Sequence, residues 1–212
     1  MTRHAPLPAQ SGALPVDPRV DEILVQARHA FVEKGFDGAS MQDLARAAGM
    51  SAGNFYRYFN SKAAIVEALV TRDLEEVERE FAAVVGSPDP IAALRATLRQ
   101  RLGEDCDRDF PLWAEIMAAA ARKPEIALAC GRLERDVVDK IVHILSVGCD
   151  LPPDEGARRF AAPARLILLL VRGAAMQTSM TARVDGELNA LILATIDRLI
   201  GEAISIPSEM TS

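Results

Sequence analysis

The residues of this chain best suited to chemistry cluster between Ser40 and Lys62: Ser40, Ser51, Gly53, Asn54, Tyr56, Arg57, Tyr58 and Lys62. They form no bond-breaking set. They are suited to holding an anion and reading a base. Ser51 and the unpaired backbone N–H groups at a helix start can meet a phosphate. Gly53 has no side chain, so the backbone there can approach a base edge closely. Asn54 can both donate and accept at a base. Tyr56, Arg57, Tyr58 and Lys62 supply hydroxyl and cationic contacts to a sugar–phosphate backbone, and Ser40 offers one more hydroxyl. The bland alternative is a solvated surface, because Tyr and Arg are common there and Gly-Xaa-Ser turns recur in small helical proteins.

An enzyme reading fails on inventory. The chain has only His4, His29 and His143, with no metal-ligand spacing, no nucleophile motif and no glycine-rich phosphate loop. No catalytic residue, metal or cofactor is expected. Cys106, Cys130 and Cys149 are odd in number and lack CxxC spacing. That favours reduced, buried thiols over a disulfide framework or zinc site, with a redox switch as the lesser alternative.

The elements that must position these residues are helices. Half of the 212 residues are hydrophobic but only 5% are aromatic, and few runs alternate as strands do. Together these predict an all-α chain of about nine helices. Residues 1–17 read as a flexible tail, with a minor-groove arm at Arg3 and His4 as the weaker alternative. Pro18 opens the first helix, whose Val20, Ile23, Leu24, Ala27, Ala30 and Phe31 share one face. Gly35 ends it. Ser40 caps a short second helix, with Asp43 in the capping-box position, where Glu or Gln is usual. Gly49 stops that helix. Ser51 caps a short third one whose Ala52, Phe55 and Phe59 point inward. Ser61 caps a longer fourth helix striped by Val66, Leu69, Val70, Leu74, Val77 and Phe81. Two short helices meeting at "AGMS" have helix-turn-helix spacing, in which the second helix enters the major groove. Pro and Gly breaks then separate five further helices, with Pro163 kinking or splitting the eighth.

The net charge of −6 sits awkwardly with DNA binding, but its distribution does not. Residues 17–65 hold six acids and six bases, the tail before them holds only Arg3, and 66–212 therefore carries −7. Phosphate affinity depends on the local face rather than the chain total. No signal peptide is legible. The longest apolar run, Phe160 to Val171, is interrupted by Pro163 and Arg165 and reads as too short to span a bilayer. The expectation is a soluble, cytoplasmic protein without membrane partners.

The stretch from Ile23 to Leu69, with "F..KGF...S", "DLARAAGMS" and "GNFYRYFNSK" in order and without gaps, strongly resembles the DNA-binding domain of the tetracycline-repressor (TetR) family. It covers under a quarter of the chain. The resemblance implies phosphate contacts by Tyr56 and Lys62. It places Ala52, Gly53, Asn54 and Arg57 nearest the bases, and Phe31, Leu44, Ala45, Phe55 and Phe59 in the core. Tyr58 stands where the family often has His, which leaves its contact less defined.

The same resemblance implies a division into a tail (1–17), a helix-turn-helix domain (18–65) and a helical effector-binding and dimerisation domain (66–212). Expected dimer contacts are Leu166, Leu169, Leu170, Gly173, Leu188, Ile192, Thr195 and Leu199, with packing inside one subunit as the alternative. Expected pocket residues are Phe110, Trp113, Met117, Val138, Ile141, Phe160, Arg172, Met176 and Gln177, with His143 and Arg165 also in view. Most of these could be ordinary core. Arg165 and Arg172, seven apart in an apolar helix, could anchor an anion or pair with acids across the interface, and that pairing is favoured. The expected partners are palindromic double-stranded operator DNA, a second copy of the chain and a small-molecule effector that releases a repressor from its operator. The competing reading is a DNA-binding regulator without an effector, gated by abundance or a protein partner. A missing or inaccessible pocket would favour that one.

Overall fold

A computed structural model of the protein describes residues 18–103, 110–181 and 184–205, without the side chains of Phe110 and Ser179. The expected tail with Arg3 and His4, and the segment holding Cys106, lie outside them. Among the described residues there are nine helices and no strand: α1 (Pro18–Gly38), α2 (Met41–Ala47), α3 (Ala52–Tyr58), α4 (Lys62–Val85), α5 (Pro90–Leu102), α6 (Phe110–Ala120), α7 (Pro124–Gly148), α8 (Pro153–Thr181) and α9 (Gly186–Ser205).

The punctuation follows local chemistry. Ser40, Ser51 and Ser61 each accept a hydrogen bond from a backbone N–H in the first turn of the helix they cap, as does Asp89 for α5. Pro occupies the first turn of α5 and of α7, where its missing N–H costs nothing. Gly35 interrupts α1 with φ 73° and ψ 158°, and a single turn carries the chain on to Gly38. This is the stop expected there, with one extra turn beyond it.

Two cores organise the helices. The first gathers Ile23, Phe31, Leu44, Phe55 and Leu69 from α1 to α4 with Leu112, Ile116 and Ile126 from α6 and α7. The second joins the far end of α4 to α5, α7, α8 and α9 around Leu94, Ile144, Phe160, Ile167 and Ile196. The boundary drawn at residue 65 falls inside α4, which runs without interruption from one core to the other. Cys130 is buried in the first core and Cys149 is half-buried. Burial pushes both thiols above their ordinary pKa, which disfavours the reactive thiolate.

Two expectations are corrected. Ala52 is exposed rather than inward, because seven residues of helix present only Phe55 and the following Phe59 to the core. Of the kink or split expected at Pro163, the split does not occur, since α8 runs unbroken past it. By length and mean hydropathy alone, Pro153–Thr178 could cross a membrane, which the shorter apolar run did not suggest. Here it packs against α7 and α9 and buries Phe160, Ala164, Ile167 and Ala174.

Candidate nucleic-acid interface and ligand cavity

α3 has one buried side and one bare side. Phe55 and Phe59 are sunk into the first core with ring centroids 6.2 Å apart. Ser51, Ala52, Gly53, Asn54, Tyr56, Arg57 and Tyr58 are all exposed. The turn from α2 is set by Gly49 at φ 65°, a left-handed conformation that suits glycine. The Met50 N–H donates to the Ala45 carbonyl at 2.9 Å. Gly53 has open space where a Cβ would stand, so its bareness serves the outside of the helix, not its packing. The Ser51 hydroxyl accepts from the Asn54 N–H at 3.4 Å, leaving its own proton free to donate outward.

The charge on this side is mostly positive. α3 contains no acid. On α2 the one acid, Asp43, is engaged by Lys34 at 2.7 Å and by Arg46 at 3.4 Å. The Lys34 ammonium, then the Ser40 hydroxyl and N–H, hold the Asp43 carboxyl well below the usual carboxylate range. The capping box is complete despite the shorter Asp: the Asp43 N–H donates to Ser40 Oγ, and Ser40 N donates to Asp43 Oδ2 at 3.1 Å. The Ser40 hydroxyl proton also goes to Asp43. Ser40 is therefore committed to its own helix, where a phosphate contact was expected.

Lys62 is committed too. Its Nζ donates to the carbonyls of Phe36 at 2.5 Å and Asp37 at 3.2 Å, and it stands 4.7 Å from the centre of the Phe36 ring. Burial pulls its pKa down, against the field of Asp37. A cation that neutralises the carbonyl end of α1 holds the start of α4 to the end of α1.

Sequence reasoning missed what meets this corner from the other side. Glu115 of α6 accepts the Phe36 N–H at 3.0 Å. Arg122 and Lys123, just beyond α6, reach Asp37 at 2.6 and 3.3 Å. These partners lie about eighty residues apart in the chain, and no local pattern announces them. Together they tie α6 to the helix that supports α2 and α3.

A cavity of about 260 Å³ lies between α4, α5, α7 and α8. Its walls are apolar, with Val77 and Phe81 on α4, Leu94 and Leu98 on α5, Val137 and Ile141 on α7, and Ile167 and Val171 on α8. Its polar lining is Asp73, Glu76, Thr97, Arg101 and Arg172. Of the expected pocket residues, Ile141 and Arg172 line it. Val138 and Phe160 are instead buried in the second core, and Trp113 packs on the first. Met117 and Met176 are half-exposed, and Gln177, His143 and Arg165 face outward. The Phe110 side chain lies outside the described residues. The physical reason is that the cavity lies where α4, α5, α7 and α8 face one another, and Val138 and Phe160 pack into the second core rather than along that gap. Arg172 pairs with Glu134 at 2.9 Å within the chain, where a pairing across the interface was favoured from the sequence.

The expected dimer residues divide. On α8, Leu166 and Leu169 are exposed, as are Met176 and Met180, and Gly173 between them has open space where a Cβ would stand. These positions make one apolar stripe. On α9, Leu191 is 65% exposed. Leu170, Leu188, Thr195 and Leu199 are half-buried. Ile192 is corrected: it is buried in this chain's own core, in line with Ile196 and Ile200, so it is not available to a partner.

Comparison with known proteins agrees with this geometry. Residues 23–69 match the family model described as bacterial regulatory proteins, tetR family. The HTH-type transcriptional regulator UidR of Escherichia coli is 29% identical over 110 residues, covering 52% of this chain and 56% of UidR. The HTH-type transcriptional regulator TtgR of Pseudomonas putida is 33% identical over 86 residues, covering 39% and 40%. The chain thus spans about half the length, or less, of these curated relatives. Among solved structures, Salmonella enterica GusR superposes with a TM-score of 0.70 at 23% identity, covering 89% of this chain and 98% of that one. The reduced form of E. coli NemR gives 0.68 at 19%, covering 85% and 96%. At such identities the structural likeness speaks for the fold.

Proposed function

From the match of residues 23–69 to the tetR-family model, we propose that the chain is a TetR-family regulator that acts as a homodimeric repressor released from its operator by a small molecule. The observation that carries the DNA-binding part is α3 itself. It is a seven-residue helix held by two buried rings, with its polar face bare and free of acids. It is too short to persist alone, so the first core holds it rigidly for docking in a major groove. Asn54 and Arg57 are the base-reading candidates, with Ala52 and Gly53 allowing close approach. Tyr56, Tyr58 and Ser51 are suited to phosphates.

Dimerisation supplies the spacing. Two recognition helices must reach successive major grooves about 34–36 Å apart. The apolar stripe of Leu166, Leu169, Gly173, Met176 and Met180 with Leu191 of α9 is the surface suited to a second copy, giving a four-helix contact. The cavity supports an effector over gating by abundance alone, since it borders α4, which runs into the DNA-binding core. A ligand that fits one arrangement of α4 and α7 better than another shifts the population between them.

The test is selection of bound sequences from random duplex DNA by purified protein at fixed salt. Enrichment of a palindrome with half-sites about one helical turn apart is expected. Absence of enrichment from protein refolded without small molecules would refute the reading.

A further inference from the structure

The charges around the cavity say what kind of molecule it would take. Arg101 is paired with Glu80 through Nε at 3.2 Å and Nη2 at 2.5 Å. Arg172 is paired with Glu134, and Asp73 with Arg28 at 3.0 Å. The Thr97 hydroxyl donates back to the Ala93 carbonyl, so it offers only an acceptor. Among the described residues, the carboxylate of the remaining polar lining residue, Glu76, has neither an ion pair nor a hydrogen bond, and it stands one turn along α4 from Asp73. Both arginines meet a wall already neutralised. The acids at the α4 end leave one carboxylate unmatched.

An anion entering here would have to displace Glu80 or Glu134 from an arginine while facing Asp73 and Glu76. A cation meets the reverse situation, with a free carboxylate to receive it and apolar walls for its body. Size narrows the class further. An apolar cavity of about 150 Å³ holds a benzene ring, so one of about 260 Å³ suits a body of one or two rings. Resting on the effector reading above, we infer that the cavity binds a small amphiphilic monocation, with its apolar body among Leu98, Val137 and Ile167 and its charged group at Glu76.

The test uses three probes of the same shape: 1-naphthylmethylammonium, the neutral 1-naphthylmethanol and the anionic 1-naphthoate. Each is titrated calorimetrically into the full-length wild type and into Glu76→Gln. Glu76 is exposed, so the variant folds, and a matching melting temperature checks this. The amine should bind about tenfold more tightly than the alcohol, as expected for one charge-assisted hydrogen bond. The naphthoate should bind most weakly, and Glu76→Gln should erase the amine's advantage without changing the alcohol. Equal binding of amine and alcohol, preference for naphthoate, or an amine preference that survives in Glu76→Gln would overturn the inference and leave an effector cavity standing. Failure of all three probes with operator binding intact would overturn the inference together with the effector reading, and would leave the DNA-binding one.

Discussion

Replacing Gly35 by Ala tests how the DNA-binding helices are held. Gly35 sits at φ 73°, ψ 158°, a region essentially reserved for glycine and costing about 1–3 kcal/mol for another residue. A Cβ there would also stand 3.0 Å from Glu115 Oε2, the same oxygen that accepts the Phe36 N–H. The carboxylate can swing aside, but only by lengthening that bond. A loss of about 2 kcal/mol follows, and for a chain of this size that lowers Tm by about 4–8 °C. Melting followed by circular dichroism at a fixed protein concentration measures it. The control is Gly53→Ala, inside α3 with open space around the new methyl. It should hold or raise Tm, since Ala favours a helix by roughly 0.5–1 kcal/mol over Gly, while disturbing operator binding. Gly35→Ala melting within a degree of the wild type would refute the argument, because the backbone at α1's end would then not be constrained as described.

Other outcomes follow from the same geometry. In Gly156→Ala the new Cβ would lie 1.8 Å from Ser146 Oγ and 2.8 Å from Ser146 Cβ, so α7 and α8 must part. A loss of about 1–3 kcal/mol is expected, only partly rescued by adding Ser146→Ala, as thermal melts will show. Lys62→Ala should lower Tm as well as affinity, since it frees two carbonyls at the end of α1; an unchanged Tm would return Lys62 to a pure DNA contact. Asp43 has a folded-state pKa below its ordinary 3.8, so its stabilisation is fully present above 3.8 and is lost as pH falls from there through the lower folded-state value. Asp43→Asn should therefore flatten the acid limb of Tm against pH, and superimposable limbs would count against the pairing. Leu169→Glu, on the exposed stripe of α8, should give a monomer by light scattering that no longer binds operator. A dimer that persists would move the interface elsewhere.

Much of the fold was legible because its signals are local. Three serines placed at helix starts, glycines at positive φ and apolar residues at a spacing of three and four announce where helices begin, end and face. Each depends on atoms within four residues of one another. The DNA-facing candidates on α3 were legible for the same reason: once Phe55 and Phe59 are assigned to the core, the positions between them must face out. Ala52 was misplaced because, at a helix's first turn, a small apolar residue carries no strong preference for either side.

The set of helices, their inner faces and the helix-turn-helix unit are products of backbone periodicity and capping, and so are written along the chain. Tertiary structure alone decided three things. It put Lys62 and Ser40 to work inside the protein, because the carbonyls of Phe36 and Asp37 and the carboxylate of Asp43 reach them first. It brought Glu115, Arg122 and Lys123 to α1 across about eighty residues of chain. And it sent Phe160 and Val138 into the core while opening a gap beside Glu76 and Arg172. A cavity is what remains after close packing of distant helices, so no pattern along one helix encodes it.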